Sequence, residues 1–341
     1  MAPKKGSQRR NFNILITCIG RRVSLLNTFK AAAKTLKLNC SIFGTDTISI
    51  SPALRLCDDF FIVRAVTSKY YVAQLLEIVK LEQIKLLVPT VDLDLKILAL
   101  NRNKFEKLGC MVLVSSPKVI SICQDKRKTH QFLIRNGFDT PGTFGTRELL
   151  KKPRFNGPYF MKPWDGYASR GTALIKSRQD LLFYSKKVPN PICQELITGD
   201  EITCDAYVDF DMTVRCVVPR KRLEVRSGEV SKARIVKDIH IMNTVKKLVE
   251  KLGAGPGVIT VQLFKTKDNK TKLIEVNPRF GGGVPLSIKA GANFPKWILQ
   301  QLTGKMPEIR FDGFEDDLTM LRYDAEVWIR NSQQAQKCWK S

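Results

Sequence analysis

The 341-residue chain contains few residues that could support histidine catalysis, zinc binding or insertion into a membrane. It has two histidines, so mechanisms that need a histidine base have few candidates. Its nine cysteines are odd in number and scattered without a CxxC spacing, which argues against a zinc site and favours a reducing compartment. Its apolar runs, such as Ile14 to Ile19, are of strand length and fall short of the ~18 residues of a membrane span. We therefore expect a soluble, cytoplasmic protein with no membrane partner.

Acidic residues are also scarce, because 57 Lys and Arg face 32 Asp and Glu and give a formal net charge of +25. Such a charge attracts polyanions, so nucleotides, phosphorylated or carboxylate substrates and nucleic acid would all benefit from it. The basic residues are dispersed in pairs and triplets, and signatures for reading or stacking bases are absent. Nucleic acid is therefore an open but less favoured partner, and a compositional bias of the source organism explains the charge equally well.

The first third of the chain alternates between strand and helix patterns. Buried-strand runs lie at 13–18, 40–44, 60–63 and 86–89, and helical patterns lie at 23–36 and 70–81. This order predicts a mostly parallel sheet. No GxGxxG follows the first strand, which argues against a dinucleotide site. Polar residues near the carboxyl ends of these strands are either ligand contacts or caps and ion pairs, namely Arg21, Arg22, Asp46, Asp92 and Asp94.

Beyond residue 141 the pattern changes to antiparallel hairpins. Tyr159 to Pro163 is predicted to be a strand and 172–175 its return strand, joined by a loop rich in small residues. The loop is bounded by Lys162 and Arg170, and backbone N–H groups in such a loop can approach phosphate oxygens without Cβ hindrance. The loop is therefore a candidate phosphate clamp, with an ordinary Gly/Ser turn as the alternative.

Two glutamates six residues apart, Glu195 and Glu201, flank a glycine turn. The apolar residues Leu196 and Ile197 could hold an adenine ring, with backbone groups for its edge and a carboxylate for the ribose hydroxyls. Alternatively, either glutamate pairs with nearby cations. The segment 219–234 that follows is predicted to be a strongly basic loop.

A later hairpin carries the most informative polar pattern. If Asp268 and Asn269 form its two-residue loop, Gln262 lies directly opposite Glu275. Asn277 then shares a face with Glu275, because residues two apart on a strand point the same way. One carboxylate and two amides are oxygen ligands that suit Mg²⁺. The alternative is an exposed polar hairpin face, since the register depends on a turn that could slip by one residue.

The order of these segments resembles the ATP-grasp superfamily, and within it the branch similar to the carbamoyl-phosphate synthetase large subunit. The resemblance covers residues 11 to 330 and implies a combined α/β and α+β fold, in which a Rossmann-like parallel-sheet domain precedes a single ATP-grasp unit. The implied organisation is a basic flexible tail at 1–10, a pre-ATP-grasp domain at 11–115, an ATP-grasp domain at 116–330 with a clamp lobe at 141–200 and a metal-binding lobe at 201–330, and a C-terminal tail at 331–341.

The resemblance also assigns roles to individual residues. It places Lys126 and Lys162 on the phosphates of ATP, Ser169, Arg170 and Gly171 in the covering loop, Glu195, Leu196 and Ile197 at the adenine hinge, Glu201 on the ribose, Gln262, Glu275 and Asn277 on Mg²⁺, and Arg279 on phosphate. Mn²⁺ is the alternative ion.

The implied reaction is activation of a carboxylate by the γ-phosphate of ATP, followed by attack of an amine on the acyl phosphate. Catalysis of this kind is positioning and charge neutralisation, so the scarcity of histidine is no objection. Arg279 and Arg220 are the candidates for stabilising the acyl-phosphate oxygens. We expect an amino acid or small carboxylic acid and an amine as substrates. An ATP-binding regulatory or nucleic-acid-associated protein without ligase turnover, and a kinase-like phosphoryl transfer, are the alternatives.

The chain also departs from the full synthetase. That enzyme has two ATP-grasp halves, whereas this chain is long enough for one and shows no internal repeat. Synthesis of carbamoyl phosphate by this chain alone is therefore not expected. Gln262 occupies a position that is often acidic in other branches, which leaves binding of one or two metal ions open.

Overall fold

The computed structural model describes residues 11–166, 171–226 and 228–330. The predicted tails lie outside the described residues, as do Ser169 and Arg170 of the predicted covering loop. The described chain forms two compact units, one made of 11–115, 293–308 and 324–330 and the other of 116–292 and 309–323. None of the helices within these described ranges combines the length and apolarity needed to cross a membrane.

The first unit is built on a five-stranded parallel sheet with strand order β3-β2-β1-β4-β5. Its strands are β1 (Asn13–Thr17), β2 (Ile42–Asp46), β3 (Asp59–Ile62), β4 (Ile84–Pro89) and β5 (Met111–Val112), and its first helices are α1 (Val23–Thr35), α2 (Pro52–Arg55), α3 (Tyr71–Leu81) and α4 (Asp92–Glu106). The central strands β1 and β4 are buried apolar runs, as expected for a parallel sheet covered by helices. The predicted parallel sheet is confirmed.

Two acidic residues near the carboxyl ends of these strands are bonded within the first unit. Asp94 is fully buried and accepts hydrogen bonds from Thr17 Oγ1 at 2.7 Å and from the Tyr71 hydroxyl at 3.2 Å. Asp46 accepts from the Gly20 N–H at 3.1 Å and from the Ser51 hydroxyl. These contacts agree with the cap-like alternative that the sequence left open.

The second unit contains two antiparallel sheets, a four-stranded one with order β6-β9-β7-β8 and a six-stranded one with order β14-β13-β10-β11-β12-β15. Its elements are α5 (Pro117–Cys123), α6 (Lys126–Arg135), β6 (Thr143–Gly145), α7 (Thr146–Lys151), β7 (Tyr159–Pro163), β8 (Ala173–Ile175), α8 (Arg178–Lys187), β9 (Pro191–Glu195), β10 (Gly199–Val208), β11 (Val214–Arg226), β12 (Glu229–Ile235), α9 (Ile239–Leu252), β13 (Gly257–Thr266), β14 (Thr271–Asn277), α10 (Val284–Lys289) and β15 (Thr319–Leu321).

One late part of the chain packs with the first unit. The sequence placed 293–308 and 324–330 in the ATP-grasp domain, whereas in the structure both belong to the first unit. The reason is helix α11 (Phe294–Leu302), which packs on α1 with Phe294 and Ile298 fully buried.

The predicted basic loop at 219–234 is wrong, because these residues form most of the β11–β12 hairpin. Lysine and arginine side chains are tolerated on these strands because acidic partners neutralise them. Lys221 Nζ lies 2.7 Å from Asp200, and Lys232 Nζ lies 2.6 Å from Glu224. Cross-strand pairs of opposite charge stabilise a sheet, so a basic composition alone does not indicate a loop.

The six-stranded sheet has one apolar face and one polar face. Helix α9 packs on β10 and β11. Along β10, the apolar Ile202 and Cys204 alternate with the polar Glu201, Thr203 and Asp205. Because alternate residues of a strand point to opposite faces, the polar side chains share one side, which we call the site face.

Candidate active site

The β13–β14 hairpin places the predicted metal ligands together. Gln262 pairs with Glu275, and Thr260 pairs with Asn277, as the sequence predicted. Asn277 is buried and its Nδ2 donates a hydrogen bond of 3.0 Å to Glu275 Oε1. The amide and the carboxylate are therefore held at adjoining positions on one face of the hairpin.

The predicted two-residue loop of this hairpin is wrong, although the register at the site is confirmed. Lys265 pairs with Thr271, so the loop is longer, and Asn269 adopts a positive φ of 63°. A register shift then leaves Ile274 as an extra residue before Glu275. A bulge of this kind offsets the longer loop by one position, which returns the hairpin to the predicted pairing at Glu275.

A cavity of about 350 Å³ adjoins this hairpin and lies entirely within the second unit. Its charged lining residues are Lys126, Lys162, Arg222, Glu195, Glu201 and Glu275. Three cations therefore face three carboxylates. Of these, Lys126 and Lys162 are buried, and buried charges are costly unless they are paired, so the convergence of charges in one cavity marks a candidate functional site.

Glu275 is at the centre of the charged cluster, with its side chain 24% exposed. Burial alone would raise the pKa of Glu275, but the charges of Lys126 and Lys162 and the Asn277 hydrogen bond hold the pKa below its ordinary value. The carboxylate is therefore ionised at neutral pH and available as an oxygen ligand.

The two predicted phosphate lysines come from different elements. Lys126 is the first residue of α6, which packs on β14, and its Nζ lies 3.9 Å from Glu275 and donates a 2.6 Å hydrogen bond to the Gly166 carbonyl. Lys162 lies on β7 with 8% of its surface exposed. Burial lowers the pKa of Lys162 to about 8, an effect that Glu275 opposes and Lys126 reinforces.

The predicted adenine hinge connects the two sheets of the second unit. β9 ends at Glu195 in the four-stranded sheet and β10 begins at Gly199 in the six-stranded sheet, so Leu196 and Ile197 lie between them. Glu195 Oε2 accepts a 3.2 Å hydrogen bond from the Gly142 N–H and lies 3.4 Å from Lys272 Nζ. The hinge glutamate therefore holds neighbouring segments together.

Apolar side chains supply the rest of the cavity lining needed for a flat ring. They include Phe160, Leu196, Ile197, Leu263, Phe264 and Ile274. Of these, the sequence singled out Leu196 and Ile197 as adenine contacts. Phe160 and Ile274 were missed because their contribution depends on how β7 and the bulged β14 face each other across two sheets.

Glu201 lines the cavity, and its carboxylate is paired. Arg222 Nη1 donates a hydrogen bond to Glu201 Oε1, and both side chains line the cavity. Arg222 is a site residue that the sequence analysis missed, since it was assigned to the basic loop. Strand alternation extended from Val214 through Arg226 would have placed it on the same face as Arg220.

Arg220, the second candidate for stabilising the acyl-phosphate oxygens, is bonded within the six-stranded sheet. It is 1% exposed, does not line the cavity, and donates from Nε and Nη2 to Asp205 at 2.8 and 2.9 Å. Arg279 follows β14, and its charge is one of those that lower the pKa of Glu275. The Arg279 carbonyl accepts a 3.0 Å hydrogen bond from Thr260 Oγ1.

The polar side chains of the β13–β14 hairpin suit a magnesium ion that also binds ligands from outside the protein. Among the described residues no group of three or more His, Cys, Asp or Glu side chains could hold a metal. Gln262, Glu275 and Asn277 instead offer one carboxylate and two amide oxygens on the hairpin. Mg²⁺ commonly takes one or two carboxylates together with substrate phosphates and water, so this donor set suits an ion bound with a nucleotide.

Gly171, the last residue of the predicted covering loop, has a positive φ of 67°.

Two family models match the chain. One, described as the PylC-like N-terminal domain, covers residues 14–113. The other, described as ATP-grasp in the biosynthetic pathway with Ter operon, covers residues 187–322. The carbamoyl phosphate synthase large chain of Vibrio cholerae is 28% identical over 222 residues, which is 60% of this chain and 20% of that protein. The chain thus matches about a fifth of the length of such curated relatives.

Solved structures share the fold. The L-amino acid ligase of Bacillus licheniformis has a TM-score of 0.68 at 21% identity, covering 92% of this chain and 79% of that one. The biotin carboxylase domain of a 2-oxoglutarate carboxylase from Hydrogenobacter thermophilus, in complex with MgADP and bicarbonate, has a TM-score of 0.68 at 14% identity, covering 91% and 74%. The predicted fold is confirmed, and the chain carries an ATP-grasp domain preceded by a PylC-like N-terminal domain.

Proposed function

We propose that the protein is an ATP-dependent carboxylate–amine ligase that works through an acyl phosphate. The observation that carries this proposal is the convergence of Lys126, Lys162 and Glu275 in one cavity, beside an apolar hinge large enough to face a nucleotide base. The ATP-grasp domain and the MgADP complex of a neighbour with the same fold support the choice of nucleotide and ion.

In this proposal the apolar lining holds adenine, and Glu201 accepts hydrogen bonds from the ribose hydroxyls. Lys126 and Lys162 neutralise the phosphates, because their ammonium groups are the cations beside Glu275. Gln262, Glu275 and Asn277 would hold Mg²⁺, or Mn²⁺ as the alternative ion. The bound ion would supply further charge neutralisation at the terminal phosphates.

The carboxylate substrate would take the γ-phosphate of ATP, and the amine would then displace phosphate to form a carbon–nitrogen bond with release of ADP. Little covalent chemistry falls to the protein, so its contribution is orientation and charge stabilisation. We propose Arg279 for the oxygens of the acyl phosphate. Arg220, bonded to Asp205, would support the sheet on which the site is built.

The test is to assay ADP and phosphate release from Mg-ATP in the presence of pools of amino acids, small carboxylates and amines. We expect release that depends on one carboxylate and one amine and that Glu275→Ala abolishes. Lys221→Met is a matched control, because Lys221 is also ion-paired but does not line the cavity. Tight ATP binding without turnover for any pool would contradict the ligase and favour a regulatory ATP-binding protein.

A further inference from the structure

Two arginine–carboxylate pairs lie on the site face of the six-stranded sheet, and their surroundings differ. The Asp205–Arg220 pair is closed. Both of its side chains are no more than 1% exposed, and Asp205 also accepts a 2.6 Å hydrogen bond from the Ser287 hydroxyl. Because both side chains are enclosed by the protein, this pair has little capacity to bind a ligand.

The Glu201–Arg222 pair is open towards the cavity. Arg222 is 12% exposed and Glu201 is 34% exposed, and both line the cavity. Within the described part of the chain, the buried Arg222 Nε has no hydrogen-bond partner. A buried N–H without an acceptor is unfavourable, so an acceptor oxygen brought by a ligand would stabilise this arrangement.

The charges that line the cavity indicate which chemical group would supply this acceptor oxygen. Lys126 and Lys162 lie beside Glu275, which leaves Arg222 as the third lining cation, paired with Glu201. Arg222 donates through Nη1 to Oε1 of Glu201, and a carboxylate accepts several hydrogen bonds, so ribose hydroxyls can donate to Glu201 while this pair persists. The remaining donors of the guanidinium form a planar set that suits phosphate oxygens.

We infer that Arg222 is a further nucleotide-binding residue, which donates to a phosphate oxygen when a nucleotide enters the cavity. This inference rests on the proposed function, because it uses the assignment of Glu201 to the ribose. It makes Arg222 a determinant of selectivity for phosphorylated nucleosides, in addition to the two lysines.

The inference is tested by calorimetric titration of the full chain with ATP, ADP and adenosine, with Mg²⁺ present throughout. Arg222→Met should weaken binding of ATP and ADP about tenfold or more, because charge-assisted hydrogen bonds have effects of this order. The dissociation constant for adenosine should change less than about threefold, since the lost contact is with phosphate. Lys221→Met, on the adjacent residue of β11, should bind all three ligands like the wild type.

Two further variants distinguish loss of the contact between Arg222 and phosphate from a defect in folding. Arg222→Lys keeps the charge and should recover part of the affinity for ATP. Glu201→Gln should weaken the binding of adenosine and of ATP by similar factors, because it removes a contact with the ribose that both ligands contain. Equal weakening of ATP and adenosine by Arg222→Met would show that Arg222 only positions Glu201 and would overturn the inference, as would no change for any ligand. A wild-type protein that bound none of the three ligands would instead remove the proposed function itself.

Discussion

Lys162 is the residue whose protonation links the site to pH. Its pKa of about 8 means that the ammonium form is lost as pH rises through 8. If this ammonium contacts phosphate, the protein must take up a proton to bind ATP above pH 8. The dissociation constant for ATP should therefore rise between pH 8 and 9.5, approaching about tenfold per pH unit for one linked proton.

Lys162→Arg is the matched control for this prediction, because a guanidinium stays protonated throughout the range. Its affinity for ATP should stay nearly constant between pH 7.5 and 9.5, whatever its absolute value. ATP titrations of both proteins at four pH values in this range would test the prediction. A parallel decline in the wild type and in Lys162→Arg would exclude Lys162 as the titrating group.

Asp94 predicts a second pH effect, on stability. Burial, partly offset by the hydrogen bonds from Thr17 and Tyr71, raises the pKa of Asp94 to about 6 from an ordinary value of 3.8. Between these values the folded state binds more protons than the unfolded state, so stability falls as pH rises from about 4 to about 6. The full loss is about 3 kcal/mol for a shift of this size.

Urea unfolding of the wild type and of Asp94→Asn at pH 4, 5, 6 and 7 measures this effect. The difference in unfolding free energy between the two proteins should change across the window, because other titrating groups are common to both. The wild type should lose stability relative to Asp94→Asn as pH rises. A difference that is independent of pH would contradict the assignment.

At the residue scale, sequence reasoning succeeded where a local pattern determines geometry. Glu275 and Asn277 are two apart on a strand, so their shared face follows from strand geometry alone. The contact of Arg220 with Asp205 was not predicted, because Asp205 lies 15 residues earlier on a neighbouring strand. Nothing local distinguishes an arginine buried against a carboxylate from one that faces a ligand.

At the scale of the sheet, the Asp205–Arg220 pair connects β10, β11 and α10. Asp205 accepts from Arg220 on β11 and from Ser287 on α10. Arg220→Met leaves a buried carboxylate without its counter-charge, so we expect it to lower the free energy of unfolding by about 3–5 kcal/mol.

The double variant Asp205→Asn with Arg220→Met should recover part of that loss, because no unpaired charge remains buried. Lys221→Met, which breaks a more exposed pair on the same strand, should unfold close to the wild type. Denaturant unfolding of Arg220→Met, the double variant and Lys221→Met, each compared with the wild type, tests this. A double variant less stable than Arg220→Met would show that the charge imbalance is not the cause.

The elements also show why hairpin details are harder to predict than hairpin existence. The β-branched runs on either side of the Asp-Asn turn predicted β13 and β14. The longer loop and the extra residue Ile274 depend on pairing across the strands and on contacts of Thr266, whose Oγ1 bonds Asp268 and accepts from Lys270 N–H. These two departures cancel at Glu275, so the predicted register there was correct.

At the scale of the whole molecule, the order of the segments identified the fold, whereas the domain organisation was only partly predictable. Residues 293–308 follow the β13–β14 hairpin in the chain but pack with the first unit. The apolar face of α11 indicates that the helix is buried and does not indicate against which unit. Likewise, the net charge of +25 is consistent with anionic ligands but does not specify one.

The central claim, transfer of the γ-phosphate to a carboxylate before the amine attacks, has a direct isotopic test. The carboxylate that supports turnover is labelled with ¹⁸O in both oxygens and incubated with Mg-ATP and the amine, and the phosphate is analysed by mass spectrometry. An acyl phosphate requires one carboxylate oxygen to leave with phosphate, so we predict one ¹⁸O atom per phosphate released. Product formation with unlabelled phosphate would contradict the account.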